Sequence, residues 1–201
     1  MITPLGKHMK KTKHEHFWSS KNNLPQKEID SKIKIEDDFL PQKEFDKIHK
    51  MMIDGTPPFP WYYTNHIDLE SDVDKFQFIH LFYLSFQSQS PFVVNLNPIF
   101  EKLKSISVYR IKANLLTRTP EIVQNRFHVD FSFLPEEKQK HWTTSIFYMN
   151  TNNGYTKFED GTKVESKANR MISFPSNMKH TGTSCTDERI RVVINFNYYK
   201  I

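Results

Sequence analysis

His128-Val129-Asp130 sets an imidazole and a carboxylate two residues apart. On an extended strand, alternate side chains share a face, so both would project together while Val129 packs on the opposite side. Alone the tripeptide is weak evidence, because a part-exposed histidine beside a solvated aspartate is the commoner outcome. A second imidazole follows in Phe174-Pro175-Ser176-Asn177-Met178-Lys179-His180-Thr181-Gly182, after a proline-containing bend. Two histidines and one carboxylate make the facial set that suits non-haem Fe(II) and leaves three positions open. Beyond it, Arg189-Ile190-Arg191-Val192-Val193-Ile194-Asn195-Phe196-Asn197 is a strongly β-forming run with two arginines on one face. An arginine inside a barrel can grip a dicarboxylate in bidentate fashion, which lysine does less well. Zinc hydrolases also use two histidines and a carboxylate, but they need a general base at a defined spacing, and none is evident.

The elements that must position these groups are mostly strands. After Ser105 the pattern gives Ile106–Leu116, Ile122–His128, Thr143–Asn150, Tyr155–Glu159, Asn169–Phe174 and Arg189–Tyr199. Turn chemistry separates them at Thr119-Pro120, Asn152-Asn153-Gly154, Asp160-Gly161 and Pro175-Ser176-Asn177. Before them, Lys32–Ile35 alternates as a short strand, and Pro41 opens a helix that carries Phe45 and Ile48 and ends at Gly55. Phe76–Phe86 is predicted as a strand on its aromatic density, and Asn97-Pro98 starts a second helix with Ile99, Phe100 and Leu103 on its face. Short strands with regular turns predict a mainly β chain of the α+β kind, a sandwich or barrel with the early helices packed outside.

Composition removes several other classes. The five glycines build neither GxGxxG nor GxxxxGK[ST], which excludes a Rossmann dinucleotide site and a P-loop. A single cysteine, Cys185, excludes an intrachain disulfide and a CxxC site. No apolar run approaches the roughly 18 residues of a membrane span, so no membrane partner is expected. The net charge of +5 belongs to the beginning of the chain, since residues 1–21 hold five lysines against Glu15 alone. The other residues carry 23 basic against 22 acidic side chains, so nucleic acid is not indicated as a partner. Residues 1–31, without hydrophobic period, are expected to be a flexible basic leader to a single domain over 32–201.

From about residue 34 onward the chain resembles the Fe(II)/2-oxoglutarate-dependent oxygenases, in particular the prolyl-4-hydroxylase-like branch and small oxygenases of that type encoded by marine phages. The resemblance rests on an ordered set: HxD at His128 and Asp130, the distal His180, and then a basic residue, Arg191 or alternatively Arg189. Thr144-Ser145-Ile146-Phe147-Tyr148-Met149-Asn150, Gly154-Tyr155-Thr156-Lys157-Phe158 and Ile172-Ser173-Phe174-Pro175 are similar to family segments in the same order. It implies a double-stranded β-helix, or jelly roll, flanked by N-terminal helices. It also implies Fe(II) on His128, Asp130 and His180, with 2-oxoglutarate and O2 as co-substrates. Arg191 or Arg189 would then clamp 2-oxoglutarate, with help from the Tyr148 hydroxyl. The implied reaction hydroxylates a small-molecule or peptide substrate while 2-oxoglutarate becomes succinate and CO2. The implied location is the cytoplasm, that of the host if the chain is phage-encoded. Two rival classes are a cupin-like metal protein without 2-oxoglutarate and a non-enzymatic viral β-sandwich. Asn195 and Asn197 are open between lining a pocket and capping strand edges, while His66, His80 and His141 are expected to be structural or surface residues.

Overall fold

The central strand β11 (Ile190–Tyr199) sorts its side chains to two sides. Val192, Ile194, Phe196 and Tyr198 enter the main apolar core, while Arg191, Val193 and Asn195 line a cavity on the other face. Its partner β5 (Ser107–Thr117) does the same, with Ile111, Ala113 and Leu115 in the core and Arg110, Lys112, Asn114 and Leu116 toward the cavity. Both follow from the period of two along a strand. The structure, a computed structural model, describes residues 32–67 and 75–200, so the expected leader lies outside the described residues.

The other strands are β1 (Lys34–Glu36), β2 (Tyr62–Thr64), β3 (Gln77–Leu84), β4 (Gln87–Ser88), β6 (Trp142–Tyr148), β7 (Tyr155–Phe158), β8 (Lys163–Glu165), β9 (Arg170–Pro175) and β10 (His180–Gly182). The larger sheet runs β1-β9-β6-β11-β5-β3-β2, with β4 paired to β3, and the smaller runs β10-β7-β8. All their pairings are antiparallel. Ile146, Tyr148, Phe158, Ile172, Phe174 and Val193 form a second apolar cluster, with Ile146 and Val193 also reaching the cavity. The mainly β, jelly-roll expectation holds. No helix among the described residues is long and apolar enough to cross a membrane.

The early helices cover the outer face of the larger sheet. Pro41 caps α1 (Gln42–His49), and its carbonyl accepts from the Glu44 and Phe45 N–H groups. Phe45 meets Phe147 of β6 edge-on at 5.9 Å. A π-helical turn, Lys50–Asp54, carries the chain on to Gly55. Asn97-Pro98 opens α2 (Asn97–Leu103), whose Ile99 is fully buried. A one-turn helix, α3 (Glu136–Gln139), lies between Asp130 and β6 in the chain.

One predicted strand is corrected. Ile122–His128 forms no continuous strand, and meets β10 and the residue after it only through bridges at His128–His180 and Gln124–Thr183. Its partner β10 is three residues long, too short to template a seven-residue ladder. The segment still occupies the place of a fourth strand at the β10 edge. His128 and Asp130 therefore do not share a strand face, because Asp130 already begins a turn. Strands β8 and β10 lie where the sequence pattern predicts no strand.

The chain between β1 and α1 is tied to β9 by charge. Arg170 Nε and Nη2 donate to the two Asp37 carboxylate oxygens at 2.5 and 3.1 Å, and Lys167 Nζ adds a third contact at 2.9 Å. The Arg170 hydrogen bonds outweigh burial and, with Lys167, lower the Asp37 pKa to about 2. A depressed carboxylate stabilises the fold above its unfolded-state value near 4, and that contribution disappears as pH falls through the folded value. Asp37→Asn is expected to unfold at lower denaturant than the parent at pH 7, with the gap closing between about pH 4 and 2 and shrinking in high salt. Chemical denaturation across pH measures it.

Candidate metal centre and its cavity

His128 and His180 are brought together by backbone pairing, each accepting the other's N–H at 3.0 Å. Their rings lie 4.7 Å apart. Each Nδ1 faces a carbonyl two residues back, Arg126 O at 3.3 Å for His128 and Met178 O at 3.1 Å for His180. A ring nitrogen facing a carbonyl must carry the proton, which leaves the Nε2 lone pairs for other use. His180 Nε2 is buried and has no hydrogen-bond partner. Such an atom is costly unless something is bound to it. The ligand atoms offered by His128, Asp130 and His180 all lie within 4.8 Å of one another. Two imidazole nitrogens and a carboxylate oxygen, one nitrogen orphaned in the interior, fit a divalent metal of the Fe(II) type.

Asp130 is the most constrained of the three. Its side chain is 3% exposed, and Oδ1 accepts from Arg110 Nη2 at 2.7 Å. Oδ2 accepts from Thr144 Oγ1 at 2.9 Å and Asn197 Nδ2 at 2.8 Å. Asn197 is fixed in turn by Arg110 Nε, which donates to its Oδ1 at 2.8 Å. Burial alone would raise the Asp130 pKa. The Arg110 guanidinium, the two imidazoles and the Asn197 amide reverse this and hold it well below the usual carboxylate range. Burial pushes the His180 imidazole down to about 4, so it is neutral and able to ligate at pH 7.

Arg191 lies on the same face of β11, buried to 3% exposure. Its Nε donates to Ser166 Oγ at 2.9 Å and its Nη2 lies 3.5 Å from Thr156 Oγ1. Burial lowers its pKa, yet an arginine remains a cation in proteins. A Cβ on Gly154 would stand 2.7 Å from Arg191 Cδ and 2.6 Å from the Ser184 carbonyl, so only glycine lets the guanidinium stem pass. Arg191 shares a cavity of about 600 Å³ with His128, Asp130 and His180. Arg189 precedes the first residue of β11 and is exposed, outside this cavity, so the same-face parity stops short of it. Tyr148 is buried behind Arg191, with its ring 5.7 Å from the guanidinium, and its hydroxyl donates to Thr156 Oγ1 at 2.7 Å without reaching the cavity.

Of the two open asparagines, Asn195 lines the cavity and Asn197 holds Asp130. His80 is buried and structural, bonded to the Pro60 carbonyl and the Ser90 hydroxyl. Arg110 and Thr144 were not singled out by sequence reasoning. The signal was present for Arg110: in Arg110-Ile111-Lys112-Ala113-Asn114 polar and apolar residues alternate, so the polar set marks the inner face.

No family model matches the chain, and no curated protein does. Solved structures do. An oxidoreductase of the 2OG-Fe(II) oxygenase family from Burkholderia pseudomallei superposes with a TM-score of 0.62 at 10% identity, covering 85% of this chain and 86% of that one. A prolyl hydroxylase from Trichoplax adhaerens, in complex with a hypoxia inducible factor oxygen degradation domain peptide fragment, gives 0.61 at 11% identity over 84% and 83%. The viral collagen prolyl hydroxylase of Paramecium Bursaria Chlorella virus-1, in its 2OG complex, gives 0.52 at 14% over 86% and 97%. The chain has the fold of the 2OG-Fe(II) oxygenases and prolyl hydroxylases.

The compensation of Asp130 by Arg110 has a measurable consequence. Removing one partner of a buried ion pair costs about 3–5 kcal/mol, because the other charge is stranded. Arg110→Met should therefore lower the Tm of the metal-free protein strongly. Mn(II) should raise the Tm of this variant more than that of the parent, since the added cation supplies the charge that Asp130 has lost. Thermal denaturation of both proteins with and without Mn(II) checks this.

Proposed function

We propose that this protein is an Fe(II)- and 2-oxoglutarate-dependent dioxygenase that hydroxylates its substrate while 2-oxoglutarate is decarboxylated to succinate and CO2. The observation that carries the reading is the coexistence, in one cavity, of the His128–Asp130–His180 donor set and the buried cation of Arg191. The described residues offer Arg191 hydroxyl partners and no carboxylate within ion-pair distance, which suits a bound dicarboxylate. A cupin-like metal protein without 2-oxoglutarate would leave that buried guanidinium without a purpose. A non-enzymatic sandwich would leave the His180 Nε2 orphan unexplained.

His128, Asp130 and His180 would hold the metal. When bound, Fe(II) supplies three open positions for 2-oxoglutarate and O2 and the electrons that activate O2. Arg110, Thr144 and Asn197 hold the Asp130 carboxylate in one orientation, and the two carbonyl-bound Nδ1–H groups do the same for the imidazoles. Arg191 and Thr156 would bind the distal carboxylate of 2-oxoglutarate, with Leu116, Ile146 and Val193 of the lining against its methylene groups. Tyr148 acts in this reading as a positioning residue that orients Thr156 and packs on the guanidinium. The fold likeness to prolyl hydroxylases, one with a peptide bound, supports a peptide as a class of substrate.

Purified protein with Fe(II), O2 and 2-oxoglutarate should form succinate, and His180→Ala should lose both metal binding and turnover. A bidentate charged contact is worth about 1.5–3 kcal/mol. Arg191→Met is therefore expected to raise the KM for 2-oxoglutarate at least ~10-fold, about the 1.4 kcal/mol step, while Arg189→Ala changes it little. Steady-state succinate assays with both variants test the assignment, and the reverse ranking would move the clamp to Arg189.

A further inference from the structure

Arg110 bonds the same Asp130 oxygen that faces the other metal-ligand candidates. Oδ2 of Asp130 accepts from Thr144 Oγ1 at 2.9 Å and from Asn197 Nδ2 at 2.8 Å. A carboxylate oxygen offers two lone-pair sites, so Oδ2 is filled. Oδ1 accepts from Arg110 Nη2 at 2.7 Å and stands 4.0 Å from His128 Nε2. Among the described residues nothing else donates to Oδ1, which leaves it one lone pair for a metal. An ion bound there shares its donor atom with a guanidinium.

The guanidinium is held at that position. Its Nε donates to Asn197 Oδ1 at 2.8 Å while Asn197 Nδ2 donates to Asp130 Oδ2, so the three side chains close a ring. Arg110 cannot turn away without breaking two hydrogen bonds. Its side chain is only 23% exposed, and it stays protonated under all ordinary conditions. A metal-ligating imidazole is neutral, so two histidines and a carboxylate alone would give a donor set of charge −1. Arg110 cancels that charge. Repulsion from a fixed cation grows with the charge of the ion beside it, so a trivalent ion is penalised more than a divalent one. Hydrogen-bond partners of a ligating carboxylate are a known means of tuning a bound metal.

We infer that Arg110 biases the site toward ferrous iron, raising the potential of the Fe(III)/Fe(II) couple and weakening divalent binding to a lesser degree. The couple is the uptake of one electron by Fe(III) to give Fe(II). Arg110 acts through Asp130 and is a positioning residue, one that keeps resting iron in the state from which the proposed reaction starts. The inference rests on the metal reading of His128, Asp130 and His180.

The test is a potentiometric titration of the iron-loaded full chain without 2-oxoglutarate, with dithionite as the electron donor and Fe(III) followed by electron paramagnetic resonance. Arg110→Gln keeps a donor for Asp130 and removes the charge. Its Fe(III):Fe(II) ratio at a fixed potential should rise at least about tenfold, a fall of about 59 mV for a one-electron couple. Arg110→Met should fall as far, and both should bind Mn(II) more tightly than the parent in calorimetry. Arg110→Lys, which keeps the charge, should stay nearer the parent than the neutral variants do. Thr144→Val, which removes a neutral hydrogen bond from the same carboxylate, should shift the potential by less than Arg110→Gln. An unchanged or raised potential in the neutral variants would overturn the inference, as would Arg110→Lys behaving like Arg110→Gln. If neither neutral variant folds with metal bound, Arg110→Lys decides alone, and a fall of about 59 mV or more with the charge retained overturns it. A parent that binds no Fe(II) sinks the metal reading itself, whereas bound iron indifferent to Arg110 sinks this inference alone.

Discussion

A carboxylate buried as deeply as that of Asp130 must be compensated from every side, and the groups that compensate it come from much of the barrel. Arg110 is contributed by β5, Thr144 by β6 and Asn197 by β11, while Asp130 itself follows the segment that bridges to β10. The same hydrogen bonds therefore connect neighbouring strands of the larger sheet to the edge of the smaller one. They also set the direction of the carboxylate. Ionised, fully hydrogen-bonded and close to two imidazoles, it is prepared for a cation before any arrives.

The two ends of the cavity solve opposite electrostatic problems with the same residue type. At one end Arg110 neutralises a buried anion supplied by the protein. At the other, Arg191 is a buried cation surrounded by the hydroxyls of Ser166 and Thr156, a setting that favours an anion brought from outside. Burial makes both arrangements expensive to break and specific for their partners. Glycine at 154 belongs to the same arrangement, because the loop before β7 must pass within contact distance of the Arg191 stem.

What holds these strands in register is largely apolar. Phe39, Phe45, Ile48 and Ile99 cover the outer face of the larger sheet and leave its inner face to carry polar residues. Asn169 adds a precise clamp, at a positive φ of 61°, since its side chain accepts from the Leu40 N–H at 2.9 Å and donates to the Leu40 carbonyl at 2.8 Å. Asparagine tolerates that backbone conformation better than most side chains do. The N-terminal helical layer is thus fastened to the loop before β9, the strand that leads to His180.

Much of the fold was legible in the sequence because the evidence was local. β-forming runs bounded by turn residues marked β5, β6, β9 and β11, and Pro41 and Asn97-Pro98 marked the helix starts. The spacing of His128, Asp130 and His180, together with the β-forming run after them, also identified the candidate metal ligands. Parity alone could not choose between Arg189 and Arg191, because it treats residues two apart alike, and only the spacing from His180 and the likeness of the run after Arg191 to family sequences favoured Arg191. The three-dimensional end of β11 separates them, leaving one exposed and the other buried in the cavity. Nor could the sequence reveal the Arg110–Asp130–Asn197 network, whose members lie 20 and 67 residues apart and meet only when the strands pair. The run Ile122–His128 reads as a strand by composition, but a ladder needs a partner of matching length, and β10 is too short to provide one. Residue types and local period determined which chemistry was available. Strand pairing decided which groups share a face, which are buried and which charges compensate one another, because those depend on neighbours distant in the chain.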